Sequence, residues 1–101
     1  MLLVLFNGVD VSSNASNVVT FNGNDRAFFT IQCTSITGTG SSLNFYAKND
    51  TQKVVFQTYT NADLLGTQTL GLSFRGCPNE IEVEYVAGTN TGTIDIICNA
   101  I

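Results

Sequence analysis

The sequence predicts an all-β domain, an antiparallel sandwich or small barrel of about eight short strands. Three observations carry this. Apolar and polar residues alternate with a period of two through most of the chain, and no run of ten or more residues keeps a helical period. Clusters of Gly, Asn, Ser and Thr interrupt the alternation at short, regular spacing. Each run also presents one apolar and one polar face. That favours antiparallel pairing, because parallel strands are usually buried on both faces.

The first strand falls at residues 2–6, followed by an Asn7-Gly8 turn and a short strand at 9–11. Residues 12–17 read as a loop, 18–21 as a strand, and Asn22-Gly23-Asn24-Asp25 as a turn. The longest strand, 27–36, turns Phe29, Ile31 and Cys33 inward, and a Gly/Ser/Thr loop follows at 37–42. Strand 43–48 has Leu43, Phe45 and Ala47 on one face. A polar hairpin turn at 49–52 leads into strand 53–59. After a connection at 61–66, strand 67–74 aligns Leu70, Leu72 and Phe74. Gly76-Cys77-Pro78-Asn79 then breaks the chain at its one proline. Strand 80–87 points Ile81, Val83 and Tyr85 inward and Glu80, Glu82 and Glu84 outward. The turn 88–92 and strand 93–98, with Ile94, Ile96 and Cys98 inward, close a final hairpin.

A length of 101 residues suits one domain spanning 1–101, with a core large enough to fold without metal or disulfide. Residues 1–24 fit the pattern least and read as a possible N-terminal arm or oligomerisation element. Charged residues make up 12% of the chain, about half the usual share. Such a polar but weakly charged surface suits either long Ser/Thr/Asn loops or packing against other subunits. The net charge is −4, and the four basic residues, Arg26, Lys48, Lys53 and Arg75, do not cluster in sequence. This argues against nucleic-acid and anionic-membrane partners, which need a basic footprint. The apolar start Met1-Leu2-Leu3-Val4-Leu5-Phe6 lacks a basic flank and ends after six residues at Asn7-Gly8. It reads as a strand, not a signal peptide or membrane span, so synthesis and folding are expected in a cytoplasm. Three cysteines, Cys33, Cys77 and Cys98, are an odd set for a disulfide framework and are expected to be reduced.

There is no histidine, which removes the commonest general base and metal ligand and any serine triad. The cysteine spacings match no zinc site, and Cys33 and Cys98 read as small core hydrophobes. No catalytic residue, cofactor or metal is therefore expected. Glu80, Glu82 and Glu84 share one strand face at steps of roughly 7 Å. They could bind calcium, act as paired acids on a sugar, or meet a partner's basic residues. The plainer reading is a solvent face or a guarded edge strand. Phe28, Tyr46 and Tyr59 fall opposite the expected core residues, as a subunit interface or as a platform for a sugar or base.

Residues 25–101 resemble a group of small phage structural proteins in strand order. Ala27-Phe28-Phe29-Thr30-Ile31-Gln32 comes first, then Leu43-Asn44-Phe45-Tyr46-Ala47-Lys48 turning into 53–59, then 69–74, a Gly76-Cys77-Pro78 corner, and the closing pair. The resemblance is one of pattern and has no signature motif. It implies a jelly-roll or immunoglobulin-like β-sandwich and a non-enzymatic role in the virion. The leading expectation is a capsid decoration (cement) protein that binds the major capsid protein and stabilises the head. The alternative is a receptor- or carbohydrate-binding module of a tail, neck or fibre. The apolar segment at 2–6 has no obvious partner nearby, which suggests self-association, by analogy as a homotrimer. The interface candidates are Leu2, Val4, Phe6, Phe28, Tyr46, Tyr59, Glu80, Glu82 and Glu84.

Overall fold

The computed structural model describes residues 2–49, 51–76 and 78–101. Met1, Asp50 of the expected hairpin turn and Cys77 of the proline corner lie outside these described residues. Eight strands and one helical turn follow in the order β1 (Leu2–Asp10), β2 (Ala15–Thr20), β3 (Arg26–Thr39), β4 (Ser42–Asn49), β5 (Gln52–Thr60), α1 (Asn61–Leu64), β6 (Gly66–Arg75), β7 (Glu80–Val86) and β8 (Thr89–Ala100).

The strands make two four-stranded antiparallel sheets, β1-β8-β3-β6 (sheet A) and β2-β7-β4-β5 (sheet B). The pairs β1–β8, β2–β7, β3–β6 and β4–β5 nest inside one another, as in a long hairpin rolled up on itself. This is jelly-roll topology. It corrects the expected closing hairpin, because β7 and β8 belong to different sheets and the residues between them cross the sandwich. It also corrects the guarded-edge reading of the acidic strand, since β7 lies between β2 and β4.

The period-two alternation holds because each sheet has one face on a shared core. Phe29, Ile31 and Cys33 of β3 and Ile94, Ile96 and Cys98 of β8 face Leu43 and Phe45 of β4 and Ile81, Val83 and Tyr85 of β7. Phe29 and Phe45 meet edge to face at 5.1 Å between ring centres, which joins the two sheets. Residues 2–24 supply two edge strands of this structure, and Leu5, Phe6, Val11, Val19 and Phe21 are buried in the core.

Irregularities fall where local chemistry serves a second purpose. Asn7-Gly8 is not a hairpin turn. β1 continues through it along β8, with register shifts between Val4 and Phe6 and between Phe6 and Val9. Gly8 takes φ +60° there, and its N–H donates to Asp95 Oδ1 at 2.6 Å. In β5, Phe56 is an extra residue between Val55, opposite Tyr46, and Gln57, opposite Phe45. β3 runs beyond its expected end to Thr39, along β8, after a bulge at Ser35 and Ile36. Gly38 is needed in that extension. Its φ is +99°, and a Cβ there would overlap the carbonyl oxygen of Thr89.

Buried polar groups are concentrated at one end of the sandwich. Asn61 Oδ1 accepts from Ser41 N, Ser41 Oγ and Asn90 Nδ2, while Asn61 Nδ2 donates to the Gly38 carbonyl. Asn90 Nδ2 also donates to the Thr37 carbonyl. The cluster satisfies itself and acts as a staple between the β3–β4 turn, α1 and β8.

Candidate functional site

The outer face of sheet B carries the acidic row. In register across the sheet, Ser16, Glu84 and Asn44 form one line, Val18, Glu82 and Tyr46 the next, and Thr20, Glu80 and Lys48 the third. Lys48 faces Lys53 across β4 and β5, and Glu82 lies between their charges. Glu82 accepts from Lys53 Nζ at 3.0 Å and lies 3.6 Å from Lys48 Nζ. The Tyr46 hydroxyl donates to Glu84 Oε1 at 3.0 Å, and Lys53 Nζ sits 4.5 Å above the Tyr46 ring. Burial and the bond to Glu84 raise the Tyr46 pKa, and the bond to Glu82 raises that of Lys53. Glu82 and Glu84 are thus engaged within the chain. Among the described residues no cluster of three or more His, Cys, Asp or Glu is placed to hold a metal. The groove beside this row, about 200 Å³, is lined by one of the three acids, Glu84.

The outer face of sheet A is different in kind. One line across it reads Leu2, Asn99, Phe28, Ser73 and the next Val4, Ile97, Thr30, Gly71. Leu2, Val4, Phe28 and Ile97 are 68%, 58%, 48% and 38% exposed. They form an apolar patch on the flat side of a sheet, where soluble domains usually show polar residues. The Phe28 ring lies over Gly71, whose missing side chain gives it room. At the end of the patch Arg26 and Arg75 face each other as direct cross-strand partners. A groove of about 450 Å³ there is lined by both arginines, Phe28, Ser73, Asn99 and Ile101, among others.

The interface candidates therefore separate. Leu2, Val4 and Phe28 come together on sheet A. Phe6 does not join them, because the β1 irregularity turns it inward and leaves it 2% exposed. Tyr46 is on the outer face of sheet B, on the opposite side of the sandwich. Tyr59 is not opposite the core. It pairs with Leu43 and packs edge to face on Phe45 at 6.1 Å, because the extra residue Phe56 lets both aromatics of β5 turn toward the interior. No single platform joins Phe28, Tyr46 and Tyr59. Ile97, Asn99, Arg26 and Arg75 are additions from the structure. Ile97 had a signal: it is apolar at an outward position, between inward Ile96 and Cys98. The arginine pair had none, since it depends on the register of β3 against β6.

No family model matches the chain, and no curated protein does. Among solved structures the chain is similar to dimeric latent PorU from Porphyromonas gingivalis, at 15% identity and a TM-score of 0.49. The match covers 98% of this chain and spans 12% of the PorU chain.

Proposed function

We propose that the chain is a non-enzymatic packing subunit that docks on other protein through the outer face of sheet A, and that its setting is a virion. There it serves as a decoration or cement protein on the major capsid protein, made in the host cytoplasm and acting as a homo-oligomer, a trimer by analogy. The observation that carries the docking part is the exposed row of Leu2, Val4, Ile97 and Phe28 in cross-strand register. An apolar patch of this kind is typical of an interaction surface, and a weakly charged chain packs beside copies of itself with little repulsion. The virion part is supported by the resemblance in strand order, and jelly rolls are common among viral capsid domains.

Lectins also use jelly rolls, so a receptor- or sugar-binding module remains the second reading. It is disfavoured because the aromatics it would stack on are dispersed, Phe28 and Tyr46 on opposite outer faces and Tyr59 turned toward the core. Particles assembled with and without the protein, then heated, test the cement role. Complete particles should keep their genome to a higher temperature, and the Val4→Glu/Ile97→Glu variant should neither bind nor protect. Equal genome release with and without the protein rejects the role.

A further inference from the structure

We infer that Arg26 and Arg75 form a two-guanidinium clamp for a carboxylate of a partner protein, with that partner's adjacent apolar side chains laid on Phe28 and Ile97. This deepens the docking reading above and rests on it.

The argument starts from a contrast between the two sheets. Like charges directly opposite on paired strands repel. Among the described residues there are two such pairs, Lys48 with Lys53 and Arg26 with Arg75. On sheet B, Glu82 neutralises the lysines from within the chain. On sheet A no equivalent exists: the ion pairs among the described residues all go to Glu82. Asp25, beside Arg26 in the chain, makes no ion pair with either arginine, and Asp95, five strand residues along β8 from Ala100, is held by the Gly8 N–H. The main-chain oxygen of Ile101 is taken by the N–H groups of Asp25 and Arg26. The arginine pair is therefore open to a counter-ion from outside.

The chemistry of the groove says what kind. Paired guanidiniums hold a carboxylate through parallel hydrogen bonds, which lysines cannot match. Ser73 and Asn99 add a hydroxyl and an amide beside them, suited to a peptide's main chain. The volume, about 450 Å³, takes a side chain and its backbone rather than a bare ion. Asn99 stands between Leu2 and Phe28 in one line, so the groove runs directly into the apolar patch. An inorganic anion would make no use of that continuity, whereas an acidic residue followed by apolar ones would. In a chain of net charge −4, half of the four positive charges are gathered at this one spot, which orients the partner as well as holding it.

The test uses the full chain labelled with nitrogen-15 and three probes: the peptide acetyl-Leu-Glu-Leu-Glu-Leu-amide, its counterpart with Gln for Glu, and inorganic phosphate. The acidic peptide should shift the amide signals of Arg26, Phe28, Arg75 and Asn99. The Gln peptide and phosphate should each bind about tenfold or more weakly. The Arg26→Gln/Arg75→Gln variant should lose the acidic peptide to a similar degree while melting no lower than wild type. The control Lys48→Gln/Lys53→Gln should keep it. Equal binding of the Gln peptide, phosphate binding as tightly as the acidic peptide, or full binding by the double arginine variant would overturn the clamp. The same variant separates the two readings on particles. If it still docks fully, the clamp is wrong and the apolar docking stands. If the acidic peptide binds as expected but no particle binds the wild type, the docking reading fails and the clamp stands.

Discussion

The phenol of Tyr85 donates a 2.8 Å hydrogen bond to the main-chain carbonyl of Val11, 74 residues away in sequence. It ties an inner strand of sheet B to the segment that leaves sheet A, and both residues are buried. Tyr85→Phe keeps the ring and removes the donor, leaving the carbonyl without it. The expected cost is about 1–3 kcal/mol, read as a lower urea midpoint at unchanged slope. A loss under about 0.3 kcal/mol would show that this bond does not stabilise the fold.

Stability should fall on the alkaline side. Burial pushes the Cys33 thiol from 9.0 up to about 11. The folded chain thus keeps a proton that the unfolded chain releases, so the contribution is complete below pH 9 and is lost as pH rises from about 9 to about 11. Burial raises Tyr85 and Tyr59 in the same direction, from an ordinary value of 10.0. Between pH 9 and 10 Cys33 contributes about 1 kcal/mol of the loss, and the tyrosines, Tyr46 included, add to it. Cys33→Ala should flatten the curve in that interval, and an unchanged slope there would refute the assignment.

Cys33 and Cys98 should not react with alkylating reagents until the chain unfolds. Both are fully buried, and Cys98 pairs with Phe29 while Cys33 pairs with Ile94. Four residues of strand, about 13 Å, separate the two positions along β3, well beyond disulfide reach. Alkylation under native conditions followed by peptide mass mapping should leave both unmodified. A Cys33–Cys98 disulfide in native protein would contradict the register.

Two glycine substitutions should differ sharply. Gly38→Ala puts a methyl group into the Thr89 carbonyl, at a backbone angle that alanine avoids, and should cost at least about 3 kcal/mol or prevent folding. Gly71→Ala meets only the end of the Phe28 ring, at 3.1 Å. It should fold, cost about 1 kcal/mol or less, and displace Phe28 from the apolar patch. Thermal melts measure both, and similar melting temperatures would disprove the close approach at Gly38.

Self-association should depend on the open edge of β1, beside the sheet A face used for docking. Val4→Glu, at an exposed position, should shift sedimentation toward monomer with little change in melting temperature. Wild type that stays monomeric at high concentration would end the oligomer reading, trimer included.

Where the sequence misled, it did so through local signals with more than one structural use. Asn7-Gly8 has the chemistry of a tight turn, but a left-handed glycine serves equally well at a bulge. Only the partner strand β8 decides between them. Tyr59 appeared outward because the alternation of β5 was counted without the extra residue at Phe56. The segment after β7 has turn residues whether it closes a hairpin or crosses between sheets, and that choice is made by β1 and β3 pairing with β8. The core was legible where one face is buried without interruption, as in Phe29, Ile31, Cys33 and in Ile81, Val83, Tyr85. Of the sheet A face, Leu2, Val4 and Phe28 were legible as apolar residues without a core role. Arg26 and Arg75 were not, because 49 positions separate them until β3 and β6 align.

The nested pairing also affects how the chain can be made. Leu2 pairs with Asn99, and β8 runs between β1 and β3 inside sheet A. On a ribosome, sheet A cannot close until its last strand has emerged. Until then β1 and β3 have exposed apolar faces and unpaired edges, the condition in which nascent chains stick to one another. Long-range pairing of this kind also makes folding slow, since distant segments must meet before anything is gained. A chain stopped short of β8 would therefore not be a smaller version of the domain. It would be a release of strands without a middle, and quality-control proteases should clear it.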